Sequence, residues 1–270
     1  MPLTPAAIAD CASFLADLRQ RRGGLQPPID AIPEAFRPQS LDDAYAVQEA
    51  ARPLIAGRGR GAPVGWKIGA TSPPMQAALG IPFPCAGTLY AGTVHRGHAA
   101  LNHADYSKLG LECEIAVRLA KALPGRPGGH DRASVLPAIA AVMTSVEIVE
   151  WRFQDIRNAG VPSLVADDFF SCGCVLGAEQ PPAIMADGAD IPGRFTVDGE
   201  VANAGNARDI LGHPLNSLAW LADHAAARMT PLRDGDIITL GSIVAALRLD
   251  RPGRVEASFD GFGAVTVEIA

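Results

Sequence analysis

Leu111-Glu-Cys-Glu-Ile-Ala-Val-Arg-Leu119 and, after a Pro/Gly-rich turn, Ala141-Val-Met-Thr-Ser-Val-Glu-Ile-Val-Glu-Trp151 are the stretches on which the reading of this chain turns. With a period of two, Leu111, Cys113, Ile115, Val117 and Leu119 fall on one face of a strand and Glu112 and Glu114 on the other. Side chains two apart on a strand stand roughly 6 to 7 Å from each other. Two carboxylates facing a part-buried site therefore repel unless one takes a proton or a cation lies between them. The second stretch predicts another strand, with Glu147 inside an otherwise apolar run. Three glutamates that converge would make a hard, oxygen-only site suited to Mg²⁺ or Mn²⁺. Taken alone, a Glu-x-Glu pair more often marks the solvated face of an edge strand.

The rest of the chain predicts an α+β fold, helical early and β-rich after about Val64. Thr4 caps a first helix with Pro5 at its first position and Ile8, Cys11, Phe14, Leu15 and Leu18 at helical spacing, ending near Arg21–Gly24. A proline-rich connector over 26–39 leads to a second helix capped by Ser40. Residues 62–71 form a short strand with Lys67 between Trp66 and Ile68; a lysine there is usually at the surface, but in a polar cleft it could move a proton or anchor a carboxylate. Ser134 is expected to open a helix with Pro137 in its first turn, and 153–162 reads as a polar helix or loop. Asp198-Gly199 marks a hairpin. Residues 215–229 form an amphipathic helix, 237–249 a long apolar strand interrupted at Gly241-Ser242, and the last two strands pair around 260–263.

Composition narrows the function. A net charge of −6 and a pI near 5.5 leave no electrostatic footprint for nucleic acid or anionic lipid, so a small molecule or a protein is the expected partner. Neither a signal peptide nor a run of 18 apolar residues is present, and a cytoplasmic protein with five reduced cysteines is the simplest account. Cys172-Gly-Cys174 reads as small buried residues rather than a soft-metal site, and His95-Arg-Gly-His98 as a turn, since no carboxylate follows at a fitting spacing. Glu150 and Arg152 could form a surface ion pair or support the carboxylate site from behind.

Six ordered motifs carry a resemblance: GWKIGATS at 65–72, LECEIAV at 111–117, SVEIVEWR at 145–152, ADDFFSCGCVLG at 166–177, GHPLNSLAWLADH at 212–224 and DGDIITLGS at 234–242. Together they resemble the hydratase/decarboxylase branch of the fumarylacetoacetate hydrolase superfamily, over nearly the whole chain. The resemblance implies a helical region at 1–61 and a catalytic domain at 62–270 built as a mixed β-sandwich or roll. It implies Glu112, Glu114 and Glu147 as ligands of Mg²⁺ or Mn²⁺, Lys67 as the active-site lysine, and substrate-binding positions at Gly69, Thr71, Ser72, Leu89, Asp167 and Ser242. It also implies a homo-oligomer that hydrates a 2-hydroxy-2,4-dienoate in aromatic catabolism. The alternatives are decarboxylation of 2-oxo-3-hexenedioate and a non-catalytic metal-binding role; C–C hydrolysis of acylpyruvates lacks a matching His/Glu pair. Where this branch has Pro-Asp-Phe-Gly the chain has Pro84-Cys85-Ala86-Gly87, so Cys85 or a metal-held water is expected to stand in for an acid. Glu150-Trp151-Arg152 replaces Asp-Ser-Arg, and Ala166-Asp167-Asp168 replaces Ala-Asp-Asn.

Overall fold

The computed structural model describes residues 2–20, 28–185, 190–249 and 251–270. In chain order, helices α1 (Pro5–Leu18) and α2 (Leu41–Ile55) precede strand β1 (Pro63–Gly69), helix α3 (Pro73–Leu79) and strand β2 (Cys85–Tyr90). Short strands β3 (Val94–Arg96) and β4 (His98–Leu101) lead to the long pair β5 (Leu109–Leu119) and β6 (Ile139–Glu150), with α4 (Arg132–Val135) between them. Then come α5 (Ile156–Ala166), β7 (Ser171–Leu176), the hairpin β8 (Pro192–Val197) and β9 (Glu200–Asn206), α6 (Pro214–Ala227), β10 (Ile237–Ser242), β11 (Gly253–Phe259) and β12 (Gly263–Ile269).

These strands form one mixed twelve-stranded sheet in the order β2-β1-β10-β5-β6-β7-β3-β4-β12-β11-β8-β9. The far strands β11 and β12 curl back over β6 and β7, which makes the sheet a roll. The period of two in β5 holds: Cys113, Ile115, Val117 and Leu119 are buried in the main apolar core together with Val142 and Val146 of β6 and Ile238 and Leu240 of β10. Leu15 of α1 and Ala44 and Val47 of α2 belong to that same core.

Both N-terminal helices begin as expected. Thr4 accepts a hydrogen bond from Ala7 N–H and Ser40 from Asp43 N–H, each satisfying one of the open donors of a first turn. The predicted end of the first helix near Arg21–Gly24 lies outside the described residues, although α1 itself closes at Leu18, and the connector at 26–39 is described only in part. His95 and His98 flank Gly97, whose φ of 70° turns β3 into β4.

Two expectations need correction, and one open alternative is narrowed. Helix α4 is capped by Asp131, and Ser134 sits inside it, closing a reciprocal capping box; Pro137 belongs to a following 3₁₀ turn. The long strand expected over 237–249 stops at Ser242, because Gly241 has φ of 112° and the Ser242 hydroxyl donates to Val244 O, turning the chain out of the sheet. Beyond it Ile243 N–H still donates to Cys113 O at 3.0 Å, and Leu247 bridges Leu111. Glu150 and Arg152 are not a surface pair: both are buried and bonded at 3.0 Å.

Candidate metal centre and active-site cavity

Antiparallel pairing of β5 with β6 sets Glu112 directly opposite Glu147 and Glu114 opposite Ser145. Facing side chains in such a ladder lie about 5 Å apart at Cβ. The three glutamates each offer a carboxylate oxygen within 4.8 Å of the other two. Glu114 and Glu147 are fully buried, while Glu112 reaches the wall of a cavity. Lys67 on β1, three strands from β6, extends its side chain to 3.1 Å from Glu147 Oε1 and is itself 1% exposed.

Three carboxylates against one ammonium leave two negative charges with no counter-ion in a buried site. The consequence is visible in the titration of each group. Burial first, and then the neighbouring Glu147, push the Glu112 carboxyl up to about 7. Burial and the other two carboxylates drive Glu114 well above the usual carboxylate range, although Gly241 N–H donates to its Oε2 at 3.0 Å. Glu147 is raised by burial, with Lys67 opposing. Burial pulls Lys67 down, but the three carboxylates, Glu147 first, outweigh it and hold the ammonium above its ordinary value.

The donor set fits a hard divalent cation. Glu114 Oε1 and Glu147 Oε2 are buried without a hydrogen-bond partner, and so are the hydroxyls of Ser145 and Thr239 on neighbouring strands. Buried polar atoms are normally paired, and leaving one unpaired costs about 1 to 3 kcal/mol. A dication held by Glu112, Glu114 and Glu147 would take up the two glutamate oxygens and balance the two excess charges.

A cavity of about 870 Å³ opens from Glu112. Its walls come from the end of β1 and the start of α3 (Gly69, Thr71, Ser72, Met75), from Leu211 ahead of α6, and from the segment after β10 (Ser242 to Ala246). Four of the expected substrate-binding positions, Gly69, Thr71, Ser72 and Ser242, thus meet here. Leu89 lies on the same sheet face but is wholly buried, packed with Ala116, Met143 and Cys174 beneath the site. Asp167 is elsewhere: Arg19 Nε contacts its Oδ1 at 3.1 Å and Arg152 Nε its Oδ2 at 2.5 Å. Cys85 is fully buried, and burial pushes its thiol up to about 12, the Lys67 charge opposing only in part.

The strand reading missed the surroundings of Lys67. Asp168, Phe169 and Phe170 all have positive φ, at 51°, 46° and 70°. Each such residue stores on the order of 1 to 3 kcal/mol, which surrounding contacts must offset. Phe169 places its ring 5.2 Å from Lys67 Nζ. Arg19, at the end of α1, was not singled out either; it pairs with Asp167 and, at 3.1 Å, with Asp168. Two adjacent aspartates ahead of a buried strand were the available signal, since charges there require partners.

The family model described as fumarylacetoacetate (FAA) hydrolase C-terminal matches residues 84–270. A 2-keto-4-pentenoate hydratase of Paraburkholderia phymatum is 32% identical, covering 96% of this chain and 95% of that protein. Another, of Burkholderia vietnamiensis, is 34% identical with 96% of both covered. A 4-oxalocrotonate decarboxylase of Pseudomonas sp. is 34% identical over 78% of this chain and 82% of its own length. Among solved structures, the 4-oxalocrotonate decarboxylase from Pseudomonas putida G7, complexed with magnesium and adipate, superposes with a TM-score of 0.89 at 26% identity, covering 99% of each chain.

Proposed function

The chain belongs to the fumarylacetoacetate hydrolase family, and on that premise we propose that it is a metal-dependent lyase hydrating a 2-hydroxy-2,4-dienoate to a 4-hydroxy-2-oxo acid, the 2-keto-4-pentenoate hydratase reaction. The observation that carries this reading is the convergence of Glu112, Glu114 and Glu147 with Lys67 at the inner end of a cavity whose outer walls are largely apolar. A divalent cation in the carboxylate site, Mg²⁺ or Mn²⁺, would supply Lewis-acid stabilisation of negative charge developing on the substrate's C2 oxygen.

The chain's own residues do the rest. Lys67 is held as an ammonium beside Glu147, which suits it to bind the substrate carboxylate or to hand a proton to the diene. The 2-hydroxyl gives up its proton and the terminal carbon gains one, yielding an α,β-unsaturated 2-oxo acid. Water then adds across the remaining double bond, oxygen to C4 and hydrogen to C3. Thr71 and Ser72 offer hydroxyls along the cavity for the water and the substrate oxygens, and Ser242 holds the turn that forms the opposite wall. Cys85, neutral and walled off from the cavity, keeps a second charge away from the lysine rather than contacting substrate.

Decarboxylation of 2-oxo-3-hexenedioate is the second reading, since the same carboxylate site can serve both reactions. That substrate brings a carboxylate at its tail. Arg208 is the basic side chain on the described cavity wall, and it is already tied to Asp190 at 2.8 Å. The rest of that wall, with Met75, Leu211 and Ile243, suits an uncharged tail. Residues 62–270 then form the catalytic part of a cytoplasmic homo-oligomer serving aromatic catabolism.

The test is turnover of 2-hydroxypenta-2,4-dienoate and 2-oxo-3-hexenedioate by purified protein, each with Mg²⁺, Mn²⁺ or EDTA and with product analysis. The reading expects metal-dependent formation of a 4-hydroxy-2-oxo acid and little CO₂ from the dicarboxylate. Rapid CO₂ release with no hydration would transfer the assignment to the decarboxylase.

A further inference from the structure

We propose that the segment Asp167–Phe170 is a rigid brace that positions Lys67, with Phe169 as the positioning residue and Arg19 of the N-terminal helix as the anchor that keeps the brace in shape. The proposal rests on the reading above in one respect, that Lys67 acts in turnover.

The backbone of this segment is the first observation. Asp168, Phe169 and Phe170 occupy the left-handed region in succession, at φ of 51°, 46° and 70°. None is glycine, and L-residues with bulky side chains avoid this region. Such a conformation persists only where its surroundings over-determine it.

The second observation is what over-determines it. The Asp167 carboxylate is held from two directions by Arg19 Nε at 3.1 Å and Arg152 Nε at 2.5 Å. Its carbonyl accepts from Arg19 Nη2 at 2.6 Å and Arg152 Nη2 at 3.3 Å. Both arginines also donate to Ser171 O, at 3.2 and 3.3 Å. Asp168 Oδ1 accepts from Thr88 N–H at 3.0 Å, and its Oδ2 lies 3.1 Å from Arg19 Nη2. The segment is thereby tied at both ends to α1, β2 and the end of β6.

The third observation is where the brace presses. The Phe169 ring is 2% exposed and lies so close to the β1 backbone that a Cβ on Gly69 would fall 2.4 Å from its Cδ1. On β2, a Cβ on Gly87 would fall 2.3 Å from Asp168 O and 3.1 Å from Lys67 Cγ. Two glycines therefore let the segment close over the lysine. Lysine carries its charge on a flexible four-carbon stem; here the stem passes Gly87, and the head lies 3.1 Å from Glu147 Oε1 and over the Phe169 ring, 5.2 Å from its centroid. An ammonium within about 6 Å of a ring centroid is drawn to the ring face. Phe169 therefore gives Nζ a second point of attachment besides Glu147 and so fixes where it stands, and a displacement of about 1 Å at a reacting group can cost about 100-fold in rate.

A double-mutant cycle tests this with Mg²⁺-loaded protein and the dienoate it turns over, using Phe169→Leu, Lys67→Gln and the pair. Leucine keeps the site apolar but removes the ring face. Phe169→Leu is expected to lower kcat about 10-fold with KM within about twofold, and to lower it no further in the Lys67→Gln background, because residues acting through one another are non-additive. Arg19→Gln should behave in the same way, with Arg19→Lys recovering part of the loss; this pair carries the test if Phe169→Leu does not fold. The same 10-fold fall in both backgrounds, or an unchanged kcat in Phe169→Leu, would overturn the brace. Full turnover by Lys67→Gln would instead remove the role assigned to Lys67, a distinguishable failure.

Discussion

Two clusters of buried charge lie close together in this protein and are built on opposite terms. In one, Arg19, Arg152, Glu150, Asp167 and Asp168 are interlocked, with the carboxylates paired to guanidinium groups or accepting backbone donors. In the other, Glu112, Glu114 and Glu147 face a single ammonium, and Glu114 Oε1 and Glu147 Oε2 have no partner. The first is complete with protein atoms alone. The second is complete only with something added, and its chemistry specifies a hard dication. On the proposed function the cluster with unpartnered oxygens at the inner end of a cavity is the reacting one, and the fully partnered cluster behind it holds the Asp167–Phe170 brace in shape.

Neutralising one member of each cluster should separate the two most sharply. Glu147→Gln is expected to lower kcat/KM by about 1,000-fold or more, since it removes a ligand and the partner of Lys67 together. Steady-state kinetics over a range of Mg²⁺ concentrations checks it, and a loss below about 10-fold would place the metal elsewhere. Arg152→Met acts on the other side of the comparison. It leaves Asp167 and Glu150 buried without that guanidinium and should cost about 3 to 5 kcal/mol of stability, read by chemical denaturation. Unchanged stability would show that the Arg152 guanidinium does not hold this cluster together.

A smaller effect follows from the raised carboxyl of Glu112. A carboxyl whose folded pKa lies above its unfolded value contributes stability that is fully present below the unfolded value and lost as pH rises through the folded one. In EDTA, wild type should therefore lose stability relative to Glu112→Gln as pH climbs from about 4.5 through about 7, by roughly 1 to 3 kcal/mol at the upper end. Paired melting curves check this, and a difference that does not change with pH would contradict it. Cys85→Ala should give the smallest change, under about threefold in kcat, because a thiol held near 12 is poorly matched to proton transfer at neutral pH. A larger loss would make the thiol a proton donor.

The three-glutamate cluster was the more legible of the two. A period of two sorts Leu111 to Leu119 onto two faces without tertiary information, and the β-rich run around Glu147 needed only a neighbouring strand to bring the third carboxylate in. Helix starts at Thr4 and Ser40 were equally local, each set by a cap and the residues just after it. The arginine-bearing cluster could not be read in the same way. Arg19 meets Asp167 across 148 residues of chain, and nothing in local spacing records that contact. The φ values of Asp168 to Phe170 contradict their residue types and are sustained by distant arginines, so propensity points away from them. The end of β10 at Ser242 was hidden for a related reason: Gly241 and the Ser242 hydroxyl turn a segment that hydrophobicity alone extends to Leu249.

The central claim is that Glu112, Glu114 and Glu147 form the binding site of a divalent cation, and calorimetric titration of EDTA-treated, desalted protein with Mg²⁺ tests it most directly. The account predicts one ion per chain, release of protons that grows as the starting pH is lowered from about 8 to about 6, and loss of the signal in Glu147→Gln. Absence of binding by wild type with both Mg²⁺ and Mn²⁺, or binding that survives unchanged in Glu147→Gln, would contradict it.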